Sequence, residues 1–392
     1  MFYFIEIGKE KNASADCEKQ KPENEFAQKI YRQFFTHLGS KVKVFKKQIS
    51  VNLALRKMKI SASLYSGKNK SLAELVNELD GHNVDYFHID CNDDLNVFAD
   101  IKEIRKLSKT PIDLHIISSN PQKYFSHLVE NNVELVTFQF ENIKGDLNVP
   151  KEVKSKLGLA ITSETDISVF EKYKNSFDFI LFMTTVPGQS GGKFNKDNFS
   201  KIREFKQKYP DKKIHVDGGV NADVSFVLRN MGVYSVVSGS YLVNSDVVGN
   251  ALHNLRSDYY VPSGMHVKDI MLGKNEIPTL TEKSASFVDV LESIEKYNLG
   301  FTLLADEKGK LAGLISNADV RKGLIKKISD LNKIQVNDIV NRNPIKVYDD
   351  FTITEMIEFI KNTKNNILYL PVVDRENNLT GAITFTNLIK GE

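Results

Sequence analysis

The chain has 392 residues, of which 53 are Lys or Arg and 50 are Asp or Glu, so its net charge is only +3. This balance argues against nucleic acid as the main partner, and no segment approaches the roughly 18 apolar residues that a membrane span requires. The length suits two domains, because single cores stop growing near ~250 to 300 residues. With no basic and apolar leader and only two cysteines, Cys17 and Cys91, we expect a cytoplasmic protein with reduced thiols.

The first part of the chain, residues 1–55, carries no recognisable chemistry, and we assign it to a docking or capping appendage. From residue 56 to residue 256, short runs rich in Val, Ile and Phe alternate with amphipathic stretches, which is typical of repeated βα units. Eight such runs begin near residues 58, 84, 111, 135, 156, 177, 212 and 234. This count predicts an α/β fold, a (β/α)8 TIM barrel with helices between the strands. An open doubly wound sheet is the alternative.

The C-terminal third follows a different pattern. Residues 257–265 have the Pro and Gly content of a linker. Beyond them, residues 266–328 and 336–392 form a weak repeat, in which VKDIM resembles VNDIV and GLISNADV resembles GAITFTNL. The repeat predicts one α+β unit that is used twice.

Polar side chains collect at the predicted carboxyl ends of the barrel strands, where the reacting groups of such barrels lie. His88 and Asp90 share one face of the second strand because they are two residues apart. His115 lies near the end of the third strand and Asp217 near the end of the seventh. Two imidazoles and two carboxylates form a donor set that suits a divalent transition metal. We therefore expect one ion of Zn, Fe, Mn or Co per chain.

An ion at this position would have a definite task. Removal of a proton beside a carbonyl group gives an enediolate, and a Lewis acid that contacts the sugar oxygens stabilises its charge. Inversion of the carbon then needs one acid-base group on each face. Asp90 and Asp217 are the candidates, since we expect their strands to lie on opposite sides of the ring.

Three glycine-rich segments follow strand ends, namely PGQSGGKF (187–194), DGGVN (217–221) and SGS (238–240). Glycine lets backbone N–H groups approach a phosphate closely. Two of the segments follow the seventh and eighth strands, which is the usual phosphate position of the barrel. The sequence therefore favours a phosphorylated ligand.

Eight segments resemble the ribulose-phosphate 3-epimerase family across the whole barrel: ISAS (60–63), HIDCNDD (88–94), IDLHI (112–116), NPQKYF (120–125), VTFQFEN (136–142), FMTTVPGQSGGKF (182–194), HVDGGVN (215–221) and VSGSYLV (237–243). The resemblance implies an isomerase that epimerises ribulose 5-phosphate, xylulose 5-phosphate or a related ketose phosphate at C3. It implies four metal ligands, His88, Asp90, His115 and Asp217, of which Asp90 and Asp217 are also the proton-transfer acids. The implied substrate-binding residues are Ser63, His115, Met183, Gly191, Gly192, Gly218, Gly219, Gly239 and Ser240.

The chain departs from the family pattern at several pocket positions. Asn92 and Ile117 stand where methionines are common, Gln139 stands where a histidine is frequent, and Ser190 interrupts a glycine run. Because none of these is a metal ligand, we expect the chemistry to be kept while the sugar pocket differs. Two alternatives stay open. One is a related lyase or decarboxylase, which would need a lysine at a strand end, and the other is a sensor that binds a sugar phosphate without turnover.

The C-terminal repeat is similar to a pair of CBS modules, and most of all to the pair in arabinose-5-phosphate isomerases. The resemblance implies a regulatory site for an adenosine or cytidine nucleotide or a nucleotide sugar. It places Ser316 and Asp319 at the site of the first copy and Thr384 and Asn387 at that of the second, where Asn387 replaces the usual acid. A pair that only dimerises is the alternative, and we expect a homo-oligomer.

Overall fold

The computed structural model describes residues 58–188, 191–257, 264–327, 333–363 and 367–384. Contacts gather the described residues, from Met58 onward, into one compact unit. The predicted appendage, residues 1–55, lies outside the described residues, as does most of the predicted linker. Within the described ranges, no helix is both long enough and apolar enough to cross a bilayer.

Eight parallel strands close into a barrel, in which each strand pairs with the next and β1 pairs with β8. Their bounds are β1 (Lys59–Ser63), β2 (Tyr86–Cys91), β3 (Ile112–Ile116), β4 (Leu135–Gln139), β5 (Lys156–Thr162), β6 (Phe179–Met183), β7 (Lys213–Asp217) and β8 (Ser235–Ser238). Each predicted apolar run overlaps one of these strands. The TIM barrel is confirmed, and the open sheet is wrong because the first and last strands are hydrogen-bonded to each other.

Helices follow six of the eight strands. They are α1 (Leu72–Gly81), α2 (Val97–Leu107), α3 (Phe125–Asn131), α4 (Asn198–Lys208), α5 (Ala222–Asn230) and, after β8, α6 (Ser240–Val243) and α7 (Val248–Arg256). Short 3-10 turns occur at Leu64–Ser66 and Pro121–Tyr124. After β4 and β5, two further 3-10 turns, at Phe140–Asn142 and Ile167–Lys172, stand in place of the predicted helices. After β4, Gly145 at φ +86° and Pro150 oppose a continuous helix.

The barrel strands are buried on both faces, which explains why they read as apolar runs. All residues of β3, β4 and β6 are buried. In β2, Phe87 and Ile89 belong to the core that packs against the helices. Because side chains alternate along a strand, His88 and Asp90 face the barrel axis instead.

The C-terminal region contains two copies of one α+β unit. The first comprises α8 (Val267–Ile270), β9 (Leu272–Gly273), a 3-10 turn (Lys274–Glu276), β10 (Thr279–Thr281), α9 (Phe287–Tyr297), β11 (Phe301–Ala305), β12 (Leu311–Ser316) and α10 (Asn317–Lys326). The second comprises α11 (Val336–Ile339), β13 (Val347–Tyr348), α12 (Ile353–Asn362), β14 (Tyr369–Val373) and β15 (Leu379–Thr384). The sheets have the strand orders β10-β11-β12 and β13-β14-β15-β9. The two copies interlock, since β9 of the first copy joins the sheet of the second.

The longest helix of each copy begins with the same local device, a capping box. In α9, Ser286 Oγ accepts the N–H of Asp289, whose carboxylate accepts the N–H of Ser286. Thr352 and Glu355 do the same at the start of α12. Each box satisfies two N–H groups that the helix leaves unpaired, so the repeat in sequence has a physical counterpart in the start of its helices.

The C-terminal unit, by which we mean both copies together, docks on α4 of the barrel and on the loop that precedes α4. Arg203 of α4 donates two hydrogen bonds of 2.8 Å to the carboxylate of Glu276. Lys196, in the β6–α4 loop, donates to Asp269 at 2.6 Å. Two-pronged arginine–carboxylate pairs fix orientation as well as distance. We call these two contacts the docking ion pairs.

Candidate metal centre and active site

Strand register brings the four predicted metal ligands together at the carboxyl end of the barrel. In the β2–β3 pair, His88 lies beside Asp113 and Asp90 lies beside His115, and β7 ends at Asp217. One donor atom from each of the four predicted ligands lies within 4.8 Å of the others. Around the ring, β1 and β8 separate β2 from β7 on one side and four strands separate them on the other, so the two aspartates stand one strand away from the opposed arrangement that the sequence predicts.

The imidazole of His88 is buried and held from behind. Its Nδ1 lies 3.0 Å from Oδ2 of Asp113, which also accepts the hydroxyl of Ser61 at 2.8 Å. Burial raises the pKa of Asp113, but the charge and hydrogen bond of His88 outweigh it and hold the pKa below its usual value. Because an ionised carboxylate only accepts, Nδ1 of His88 donates, and Nε2 is the atom turned toward the site.

Nε2 of His88 faces two carboxylates, with Asp90 at 3.4 Å and Asp217 at 3.5 Å. It is buried and has no hydrogen-bond partner among the described residues. Nitrogen and carboxylate oxygens that converge in this way require a positive charge between them. A proton can supply it, because Asp113 and Asp90 raise the pKa of His88 well above its usual value although burial lowers it. A divalent cation fits the same donor set.

His115 completes the cluster from β3. Its Nδ1 lies 3.2 Å from Oδ1 of Asp90, and its Nε2 lies 2.8 Å from Oε1 of Gln139 at the end of β4. The ring is fully buried. It therefore lies beneath the cavity described next and does not line it, so the structure places His115 with the metal ligands and apart from the other predicted substrate-binding residues.

The two aspartates of the cluster differ in their tendency to hold a proton. Burial raises the pKa of Asp217 to about 6, and the nearby charge of Asp90 adds to this while His88 opposes it. For Asp90, burial is outweighed by the two neighbouring imidazoles of His115 and His88, which hold its pKa well below the usual range. Carboxyl groups whose pKa values are pushed apart are suited to different acid-base roles.

A cavity of about 410 Å³ opens above the cluster at the carboxyl end of the barrel. Its lining is mostly polar and includes both Asp90 and Asp217. The predicted substrate-binding residues that line it are Ser63, Met183, Gly191, Gly192, Gly218, Gly219, Gly239 and Ser240. The structure thus brings these eight positions together around one cavity.

Glycine is required by geometry at one wall of this cavity. Gly218 and Gly219 have φ values of +112° and +64°, in the region that side chains other than glycine rarely adopt. A Cβ at Gly219 would lie 2.2 Å from the backbone nitrogen of Phe194, and one at Gly239 would lie 2.4 Å from Oγ of Ser66. A larger residue at either position would therefore push neighbouring segments of the protein apart.

Several residues that sequence analysis did not single out contribute to the site. Asp113 supports His88 from below, and Glu141 contacts Gln139. Both lie two residues from a site position, so strand periodicity places Asp113 on the same face of β3 as His115 but does not by itself mark it as a site residue. Other lining residues lie in loops or in short helical turns, where no periodicity marks them: Tyr65, Ser66, Thr185, Asn221 and Tyr241.

The predicted nucleotide-binding residues of the C-terminal unit lie in unlike settings. Ser316 and Asp319 form a capping box at the start of α10, with Ser316 Oγ donating to Asp319 at 2.6 Å. Thr384 is buried at the end of β15 and lines a cavity of only about 40 Å³ against α5 of the barrel. Asn387 lies outside the described residues. A larger cavity of about 970 Å³, to which both copies contribute lining residues, is lined by none of the described members of this set.

Comparison with known proteins matches the two parts of the chain separately. Residues 59–243 match the sequence model described as the Ribulose-phosphate 3 epimerase family, and residues 336–391 match that of the CBS domain. The ribulose-phosphate 3-epimerase of Methanocaldococcus jannaschii is 29% identical over 212 residues, covering 51% of this chain and 90% of that protein. The cytoplasmic isoform of Oryza sativa subsp. japonica is 28% identical over 211 residues, covering 50% and 92%. Among solved structures, CBSX2 in complex with AMP is 26% identical, covers 32% of this chain and 95% of that one, and has a TM-score of 0.28.

Proposed function

The barrel carries a ribulose-phosphate 3-epimerase family domain and the C-terminal region carries a CBS domain, and from this premise we propose that the enzyme epimerises a ketose phosphate at C3. Ribulose 5-phosphate, xylulose 5-phosphate or a closely related sugar phosphate is the substrate. The observation that carries the proposal is the convergence of His88, Asp90, His115 and Asp217 within 4.8 Å, directly beneath a glycine-walled cavity of about 410 Å³.

We propose that these four side chains hold one divalent transition-metal ion, of Zn, Fe, Mn or Co. The proposal is supported by the buried Nε2 of His88, which faces two carboxylates without a hydrogen-bond partner in the described structure. A bound ion would supply Lewis-acid stabilisation for the negative charge that develops on the sugar oxygens.

Asp90 and Asp217 perform the proton transfers in this proposal. One carboxylate accepts the proton from C3, the C–H electron pair forms the enediolate, and the other carboxyl group returns a proton to the opposite face of the same carbon. One proton leaves and one arrives, so no oxidant or reductant is needed. The pKa values of the pair are unequal, with that of Asp217 at about 6 and that of Asp90 far lower. This difference supports the use of one group as the base and of the other as the acid.

The glycine-rich wall of the cavity suits the phosphate group. Gly218, Gly219 and Gly239 line the cavity without a side chain to cover their backbone, and anions bind where backbone N–H groups point into a concavity. No lysine is found among the described residues that line the cavity. A lyase that forms an imine with its substrate is therefore disfavoured.

Isotope exchange tests the proposed reaction. Purified protein that is incubated with ribulose 5-phosphate in deuterated water should incorporate deuterium at C3 and form the C3 epimer. Asp217→Asn, which keeps the size of the side chain, should abolish both while leaving the thermal unfolding midpoint within a few degrees of the wild type. Ligand binding by the wild type without any exchange would contradict the epimerase and identify a sensor.

We further propose that a nucleotide or nucleotide sugar with an adenosine or cytidine group binds the C-terminal unit at Ser316 and Asp319 and regulates the barrel. The docking ion pairs support a route for this regulation. Lys196 lies in the same β6–α4 loop as Gly191 and Gly192, which line the active-site cavity. A shift of Asp269 would therefore act on a loop that touches the substrate.

Thermal unfolding with added AMP, ATP and CMP tests this second proposal, because a ligand that binds only the folded state raises the midpoint. Asp319→Asn should reduce that rise. Asp289→Asn is the matched control, since Asp289 occupies the same position of a capping box at the start of α9. The same response in both variants would place the nucleotide away from Asp319, and no response of the wild type would favour a unit that serves only for dimerisation.

A further inference from the structure

We infer that Gln139 and Glu141 are positioning residues that fix which ring nitrogen of His115 faces the ion site. The inference rests on the metal centre proposed above. Gln139 is almost completely buried at the end of β4, and its two amide atoms bridge two neighbours. Oε1 lies 2.8 Å from Nε2 of His115, and the amide nitrogen donates to the carboxylate of Glu141.

The orientation of the Gln139 amide follows from Glu141. The other carboxylate oxygen of Glu141 accepts the backbone N–H of Thr162 at 2.9 Å and the hydroxyl of Thr165. These donors mark Glu141 as ionised, and an ionised carboxylate can only accept. Gln139 must therefore turn its NH2 group toward Glu141, which leaves its Oε1, an acceptor, facing His115.

The orientation of Gln139 in turn sets the tautomer of His115. Because Oε1 of Gln139 accepts, Nε2 of His115 carries the proton. The other nitrogen, Nδ1, then presents its lone pair at 3.2 Å from Oδ1 of Asp90. In His88, the hydrogen bond to Asp113 places a proton on Nδ1 and leaves the lone pair of the neutral ring on Nε2. Both imidazoles therefore point a lone pair at the space that the two carboxylates share. Outer partners of this kind orient ligating histidines and tune ion affinity.

The test compares Zn²⁺ affinity in three variants, measured by competition with a chromophoric chelator. Gln139→Met keeps the length of the side chain but removes the amide, and Zn²⁺ affinity should fall by about 10- to 100-fold. Glu141→Gln changes an exposed group, frees Gln139 to turn over, and should lower the affinity by a smaller factor. Gln139→His should retain most of the affinity, because a neutral imidazole also offers one donor and one acceptor.

Thr137→Val is the matched control. Thr137 lies on the same face of β4 as Gln139 and pairs with His115 in the strand register, and its buried hydroxyl has no partner among the described residues. This variant should bind Zn²⁺ as the wild type does. Long-range nitrogen–proton correlation spectra of the Zn²⁺-loaded wild type should show the His115 proton on Nε2.

The outcomes separate this inference from the proposed metal centre. If the wild type binds no Zn²⁺, the metal centre and the inference fall together. If the wild type binds Zn²⁺ but Gln139→Met binds it within twofold of the wild type, or the proton lies on Nδ1, the inference is overturned while the metal centre stands. If Gln139→Met does not fold, Glu141→Gln decides, and an unchanged affinity there overturns the inference.

Discussion

Asp113→Asn should remove the negative charge that keeps His88 protonated while preserving the shape of the barrel interior. Asparagine can still accept the Nδ1–H of His88, but it carries no charge. Two unit charges 3.0 Å apart interact by about 5 kcal/mol at an effective dielectric constant of 20. Loss of the charge should therefore lower the pKa of His88, and burial then favours the neutral ring.

Calorimetric titration of the metal-free protein with Zn²⁺ at pH 7.5 measures this effect, in buffers of different ionisation enthalpy. The wild type should release about one proton as the ion replaces the proton on His88, since metal ligands must be deprotonated. Asp113→Asn should release close to none, and its Zn²⁺ affinity should fall about 10- to 100-fold because the ligand is less basic and less firmly oriented.

Asp85→Asn is the control for loss of a partly buried carboxylate elsewhere. Asp85 binds Lys59 and Arg256 at the opposite end of the barrel strands, so its removal should lower stability without changing proton release. Equal proton release and equal affinity in Asp113→Asn and the wild type would refute the view that Asp113 sets the charge and tautomer of His88.

Two further predictions concern pH and the backbone. In the metal-free protein, burial raises the pKa of Asp217 to about 6, above its value of ~3.9 in the unfolded chain. The protonated side chain therefore contributes its full stabilisation of the fold at pH values below ~3.9, and this contribution is lost as the pH rises through 6. In denaturant unfolding, the free energy of unfolding of Asp217→Asn should therefore rise relative to that of the wild type by up to about 3 kcal/mol between pH 4 and pH 7. A constant difference between the two proteins would contradict the raised pKa of Asp217. Gly219→Ala should lower the free energy of unfolding by well over ~2 kcal/mol because of backbone strain and atomic overlap. Gly145 also has a positive φ but faces open space, so Gly145→Ala should lower it by only about 1 kcal/mol. Equal losses of stability would contradict the close approach of Gly219 to Phe194.

The barrel was predictable from the sequence because its two periodicities are local. Apolar runs mark strands that are buried on both faces, and His88 and Asp90 share a face simply because they are two residues apart. The failures are equally physical. The connections after β4 and β5 were expected to be helices, but the first contains Gly145 and Pro150, and only tertiary packing decides how such a segment crosses the barrel.

The supporting residues were harder to foresee than the ligands. The role of Asp113 depends on the β2–β3 register, which sets it beside His88, and no property of Asp113 alone distinguishes it from a strand-end carboxylate. His215 shows the converse, because it lies in a strand near the site but is a neutral core residue stacked on Phe179, with burial lowering its pKa to about 4. Register and burial separate these two cases, and sequence spacing does not.

The most direct test of the account is the metal content of the purified chain. Elemental analysis of the wild type should find about one divalent transition-metal ion per chain, and His88→Ala and His115→Ala, each of which removes one of the two buried nitrogen ligands, should contain almost none. Full metal content in both variants would show that the ion, if present, is held elsewhere, and would contradict the proposed centre.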